Sequence, residues 1–184
     1  MKAIVAVDKN WGIGKDGDLL FHLQGDMKFF RETTKGGIII IGRKTLESFP
    51  GGKPLPNRTN IVITRNEDYQ AEDCIVCHSA EEAAAIAEAL DLEGAFAGDE
   101  GAPDAGAEDA GSADQEVYIC GGGEIYRMML PWSDEILVTK IDADMQADTF
   151  FPDLDADPEF EMTWESELHE EQGISYRFTK YTRK

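Results

Sequence analysis

Four consecutive isoleucines, Ile38 to Ile41, run into Gly42, and no other stretch restricts the fold so strongly. An unbroken apolar strand is buried on both faces, as in parallel sheets covered by helices. At Gly42 the pattern changes. Arg43, Lys44 and Thr45 stand at the mouth of a helix that carries Leu46 and Phe49 on one side. Two cations and a hydroxyl then join the free N–H groups of a helix N-terminus, an arrangement that holds an anion.

Charge points the same way. Between Lys28 and Arg65 there are eight basic and two acidic residues, a net +6 in a chain of −20. The island either binds something anionic or is ordinary solvated surface charge. So acidic a chain repels nucleic acid, so a small polyanion is the expected partner. At 184 residues the chain fits one domain. It has no apolar run near 18 residues and no leader-like N-terminus, so a soluble, cytoplasmic protein is expected. Three cysteines argue against a disulfide framework. Cys74-Ile-Val-Cys77-His78 matches a haem-attachment pattern, but it reads as a short strand whose positions i and i+3 point to opposite faces. Structural cysteines are expected there, and no metal site.

Taken in order, Lys2 to Asp8 is a buried strand and Asn10 to Gly17 a glycine-rich loop. The loop contains Gly12-x-Gly14-x-x-Gly17, a dinucleotide fingerprint in letters only. That motif needs its third glycine inside a helix, whereas Asp16-Gly17-Asp18 is turn chemistry and helical periodicity begins near Gly25. The helix from Gly25 to Thr34 places Asp26, Met27, Phe30 and Thr34 on one face. Asp26 either complements the helix dipole or is a desolvated carboxylate at the bottom of a cleft. Pro50 to Asn57 is a rigid loop leading to Arg58. Thr59 to Thr64 is a strand ended by Arg65, Cys74 to Cys77 another, and Ala80 to Leu90 a helix. Asp91 to Glu116 holds nine acidic residues, five glycines and no base, and reads as a solvated, mobile insertion. Salt adaptation and partner binding stay open as reasons for its charge. Val117 to Cys120 is a strand running through Gly121, Gly122 and Gly123 into a helix, Glu124 to Leu130, and three glycines there let a phosphate approach backbone N–H groups. Glu135 to Asp142 is a strand containing Thr139. Phe160 to His169 and Ile174 to Thr182, around Gln172-Gly173, form an antiparallel hairpin at the sheet edge.

These residues together resemble the dihydrofolate reductase family over nearly the whole chain. The matching motifs are Trp11-Gly-Ile-Gly14, Gly25-Asp26-Met-Lys-Phe-Phe30, Gly42-Arg-Lys-Thr45, Pro54-Leu-Pro-Asn-Arg58, Gly121-Gly-Gly-x-Ile-Tyr126 and Asp148-Thr-Phe-Phe-Pro152. The resemblance implies a single α/β domain over 1–184, with an insertion at 91–116. Its mixed, mostly parallel sheet has eight strands, helices on both faces and a C-terminal antiparallel hairpin. It implies a monomer that transfers hydride from NADPH to C6 of dihydrofolate and delivers a proton to N5. The tetrahydrofolate formed supplies one-carbon metabolism, and neither nucleic acid nor membrane is a partner.

The same resemblance assigns residues. Asp26, Thr139 and Leu19 are catalytic positions, with Asp26 holding the pterin amino group and ring nitrogen and Thr139 orienting it. Ile4 and Cys120 offer carbonyls. Val5, Met27, Phe30, Phe49 and Leu55 enclose the substrate, and Arg58 clamps its glutamate carboxylate. Arg43, Lys44 and Arg65 meet the 2′-phosphate and its neighbours. Thr45, Gly121, Gly122 and Gly123 hold the pyrophosphate and Ala6 and Tyr126 lie near the nicotinamide, while Ile13, Gly14, Gly42, Thr64, Cys120, Glu124, Ile125 and Thr149 complete the cofactor set. Leu20-Phe21 departs from the family's usual Pro-Trp, which removes an indole N–H from the proton route, and Gln24-Gly25 replaces a more rigid helix start. Two other classes remain: a pteridine-reducing relative, which leaves Arg58 unemployed, and a non-catalytic nucleotide-binding module.

Overall fold

The isoleucine run forms strand β4 (Ile38–Gly42), with all five residues buried. Ile38 and Ile40 enter one apolar cluster and Ile39 and Ile41 another, so the two faces of the strand feed separate cores. Each fully buried isoleucine contributes about 1.5–3 kcal/mol. Both faces therefore need helices. A computed structural model, which describes residues 1–97 and 115–184, shows them. Helices α1 (Gln24–Thr34) and α2 (Arg43–Ser48) cover one face through Phe29, Phe30 and Leu46. Helices α3 (Ala80–Ala97) and α4 (Gly123–Met129) cover the other, through Ala83, Ala84, Ala87, Ile125 and Met129.

The parallel strands are β1 (Lys2–Val7), β4, β5 (Thr59–Ile63), β6 (Ile75–Cys77), β7 (Val117–Ile119) and β8 (Glu135–Ile141). The antiparallel strands are β10 (Phe160–Glu165) and β12 (Ile174–Arg183), with short β11 (His169–Glu171) beside β12. The order is β10-β12-β8-β1-β7-β4-β5-β6, so β7, late in the chain, fills the gap between β1 and β4. A smaller sheet joins β2 (Gly12–Lys15), β3 (Asp18–Leu19) and β9 (Thr149–Phe150) in the order β3-β2-β9. Thus the fingerprint-like glycines fold as a hairpin. Asp16 and Gly17 form its turn with φ of 53° and 85°, as a two-residue hairpin turn requires.

Two boundaries differ by more than one residue from the sequence reading. Helix α3 continues to Ala97, seven residues past Leu90, because the alanine-rich composition goes on favouring helix after the acidic stretch has begun. The acidic stretch therefore starts inside a helix; residues 98–114 lie outside the described residues. It closes on Glu116, whose carbonyl accepts the Ile38 N–H at 3.0 Å. The strand expected over Phe160 to His169 is broken in two: it bulges between Met162 and Trp164 and leaves the ladder after Glu165. Its turn stands as expected, with Gln172 and Gly173 at φ of 55° and 76°. Among the described residues no helix is long and apolar enough to cross a membrane.

Candidate active site

Strands β1, β4, β5 and β7 run parallel, so their carboxyl ends lie along one edge of the sheet, the usual ligand position for a sheet of this kind. Helix α1 lies across the β1 and β8 side of it. Leu23, just before the helix, is buried, and Phe29 stacks on Phe178 of β12 with ring centroids 4.3 Å apart. That packing turns Asp26, in the first helical turn, down toward β8. There the Thr139 side chain stands close enough to the Asp26 carboxyl to favour its ionised form. Thr139 is 1 % exposed and lies in register with Ala6 of β1. Desolvation raises the Asp26 pKa above the ordinary carboxyl value; the Thr139 hydroxyl opposes that, and the negative charge of Glu171 adds to it.

Strand alternation sorts the β1 residues. Ile4 and Ala6 turn toward the α1 side, whereas Val5 belongs to the opposite core with Ala3 and Val7. The Val5 side chain is therefore not brought to Asp26. Tyr126, rooted in α4, donates its hydroxyl to the Ile4 carbonyl at 2.7 Å. A carbonyl oxygen has two lone pairs, so Ile4 keeps one for another donor. Burial raises the Tyr126 and Cys120 pKa values well up, which keeps both groups neutral.

Phe30, Phe49 and Leu55 pack partly buried against the second core and form an apolar wall. Met27 is 53 % exposed on the rim, and Leu19 is 64 % exposed on the β2–β3 hairpin, outside this group. At the far end of α1, Arg58 is held by three bonds: Nε to Thr34 Oγ1 at 2.8 Å, Nη1 to the Pro56 carbonyl at 2.6 Å and Nη2 to the Arg31 carbonyl at 2.8 Å. A guanidinium has five N–H donors, so one remains on each terminal nitrogen for a further acceptor such as a carboxylate. Arg31 and Lys35 line the same small cleft.

A second lobe of the site lies between α2 and α4. Neither helix has a side-chain cap at its N-terminus. They are tied by Gly42 N donating to the Gly121 carbonyl at 2.8 Å. A Cβ on Gly122 would stand 3.4 Å from Thr45 Oγ1, and one on Gly123 only 2.6 Å from Thr149 Cγ2 with Ile13 close behind. Gly121, at φ +100°, could carry a Cβ only by striking the Tyr126 ring at 2.8 Å. Arg43 pairs with Glu47 at 2.9 Å and lies over the Tyr69 ring, while Arg65 pairs with Glu124. Ile125 faces the core beneath Gly42, so its side chain points away from the site. Thr64 is buried at the end of β5, with its hydroxyl accepting the Asn66 N–H. Lys44 is exposed at the helix mouth, and Gly14, paired with Thr149, lies in the small sheet at its edge.

The sequence reading missed two positioning residues. Asn60, 3 % exposed in β5, accepts the Leu55 N–H and donates to the Leu55 and Arg58 carbonyls, fixing the loop that carries both. Asp8, 4 % exposed, accepts N–H bonds from Asn10, Gly12 and Met145 and so pins the glycine loop. A polar residue amid an apolar strand was the available signal for Asn60.

Similarity to known proteins runs over the same ground. A family model described as dihydrofolate reductase matches residues 1–183. The chain is 35% identical over 181 residues to dihydrofolate reductase of Staphylococcus haemolyticus, covering 98% of this chain and 93% of that one. It is 34% identical over 188 residues to that of Bacillus subtilis, with the same two coverages. A solved structure of dihydrofolate reductase from Enterococcus faecalis, complexed with NADP(H) and RAB-propyl, superposes with a TM-score of 0.77 at 32% identity, covering 99% of this chain and 95% of that one.

Proposed function

The chain belongs to the dihydrofolate reductase family, and we infer that it is the enzyme which reduces 7,8-dihydrofolate to 5,6,7,8-tetrahydrofolate with NADPH. The observation that carries the reading is a half-buried carboxyl in the first turn of α1, beside the apolar side chains of the second core, with a guanidinium held by three hydrogen bonds at the far end of the same helix. Asp26 hydrogen-bonds the pterin amino group and ring nitrogen, with Thr139 keeping the carboxyl in one orientation. Because burial raises the Asp26 pKa, the site retains a proton nearer neutral pH than an exposed aspartate would. It favours protonation of N5, with water as the carrier. Leu20 and Phe21 leave no indole N–H to hold that water, so Asp26 and Thr139 are the polar groups that orient it. The Ile4 and Cys120 carbonyls accept from the pterin. Phe30, Phe49 and Leu55 exclude solvent from the ring and the aminobenzoyl group, Met27 borders them at the rim, and Arg58 binds the glutamate carboxylate through its free N–H groups.

NADPH, when bound, supplies the hydride. The second lobe fits it. Two helix N-termini without side-chain caps, joined by a glycine run whose backbone N–H groups a phosphate can approach, suit a pyrophosphate. Arg43, Lys44 and Arg65 give the adenosine 2′-phosphate its cations, and Ala6, Gly14, Ile13, Tyr126 and Thr149 border the nicotinamide end. We treat 1–184 as one catalytic unit and the acidic stretch as an insertion without a part in the chemistry. The free cysteines Cys74, Cys77 and Cys120 support a cytoplasmic location.

The test is spectrophotometric oxidation of NADPH with and without dihydrofolate. Asp26→Asn removes most turnover near neutral pH while cofactor binding survives. Turnover equal to that of the unmodified enzyme refutes the role given to Asp26.

A further inference from the structure

Helix α1 starts without a cap of its own. Leu23 offers no side-chain acceptor, and the first N–H groups are met from the other end of the chain. Glu171, on β11, accepts the Gln24 N–H at 2.7 Å through Oε1 and the Gly25 N–H at 2.9 Å through Oε2. Two of the orphan donors of the helix carrying Asp26 are thus tied to the C-terminal hairpin. The approach is close enough to need a glycine: a Cβ on Gly25 would lie 2.0 Å from the Tyr176 hydroxyl oxygen and 3.5 Å from Glu171 Oε2. Tyr176 is itself buried beneath His169, whose ring stacks on it at 5.3 Å.

We propose that Glu171 is a positioning residue for the reaction, a carboxylate that anchors the first turn of α1 and sets the charge felt by Asp26. The inference rests on the reading of Asp26 as the acid of the site. Glu171 acts in two ways. It fixes the height of the first turn above β8, where Thr139 waits. It also places a negative charge on the N-terminal end of the helix dipole, which would otherwise favour the Asp26 carboxylate. The titratable groups facing Asp26 are Glu171 from β11, Tyr176 from β12 and Tyr126 from α4. Burial keeps both phenols neutral, and the two backbone bonds hold Glu171 ionised by lowering its pKa. Glu171 is therefore the fixed charge among them.

The experiment is the pH profile of turnover at saturating dihydrofolate and NADPH. Glu171→Gln keeps the shape and loses the charge, together with one of the two backbone bonds, because the amide has a single acceptor oxygen. It moves the fall in turnover to lower pH, lowering the rate on the alkaline side by about threefold, the size of one screened charge at this range, with little change on the acidic side. Glu171→Asp keeps the charge but is too short for both backbone bonds, so its profile stays nearer the parent's even where its thermal midpoint falls. It also remains measurable should the glutamine variant fail to fold. A uniform rate loss in Glu171→Gln with an unmoved midpoint, while Asp26→Asn still removes turnover, overturns this inference alone. Turnover surviving in Asp26→Asn overturns the parent reading instead.

Discussion

Asp26→Asn should stabilise the protein while disabling it. A carboxyl whose pKa is raised by folding is harder to ionise in the native state than in the unfolded chain. Below the ordinary value of 3.8 it is protonated in both states and costs nothing. As pH rises from there through the elevated native value, the unfolded chain releases its proton first and native stability falls; above that value the whole penalty is in force. Asparagine has nearly the same shape, keeps an acceptor oxygen on the Thr139 side and carries no charge. Each tenfold weakening of Asp26 acidity in the fold is worth about 1.4 kcal/mol. For a domain of this size that is about 3–6 °C in thermal midpoint. Scanning calorimetry of both proteins between pH 3 and pH 8 should give midpoints that converge at the acid end and separate, with the variant higher, toward neutrality. A variant less stable than the parent at neutral pH, or a gain constant across the range, would refute the desolvation of Asp26 as the source of its raised pKa.

Arg65→Ala should weaken NADPH by about tenfold to a hundredfold, the worth of a charged hydrogen bond, and leave NADH binding nearly unchanged in fluorescence titrations. Its pair with Glu124 is exposed on both sides, so the thermal midpoint should hardly move. Asn60→Ala strips three hydrogen bonds from the Leu55–Arg58 loop and should cost about 3 kcal/mol in denaturant unfolding. Its kinetic signature is a raised KM for dihydrofolate with kcat less affected.

Local chemistry was legible in the residue order because it rests on short-range rules. The period of apolar residues marked β1, β4 and β5 as buried strands. Gly42 and the Gly121–Gly123 run marked where strands give way to helices, Gln172-Gly173 marked a hairpin turn, and Asp16-Gly17 a turn whose flanking strands the residue order did not reveal. The motif residues around Asp26, Arg58 and Thr45 could be named for the same reason, since each motif is contiguous.

Tertiary structure decided what depends on elements far apart in the chain meeting. Whether Asp26 served the helix dipole or faced a dry cleft could not be told from α1 itself, because burial and the Thr139 contact come from β8, more than a hundred residues on. Val5 and Ile4 are neighbours in sequence, yet the pleat of β1 sends them to opposite cores. The free donors of Arg58 follow from acceptors on α1 and its own loop, and the cap on α1 from a hairpin at the other end of the molecule. Period and turn chemistry act over a few residues and are written in order along the chain. Desolvation, charge and hydrogen-bond completion act through space, so they exist only once the sheet has set its strand order.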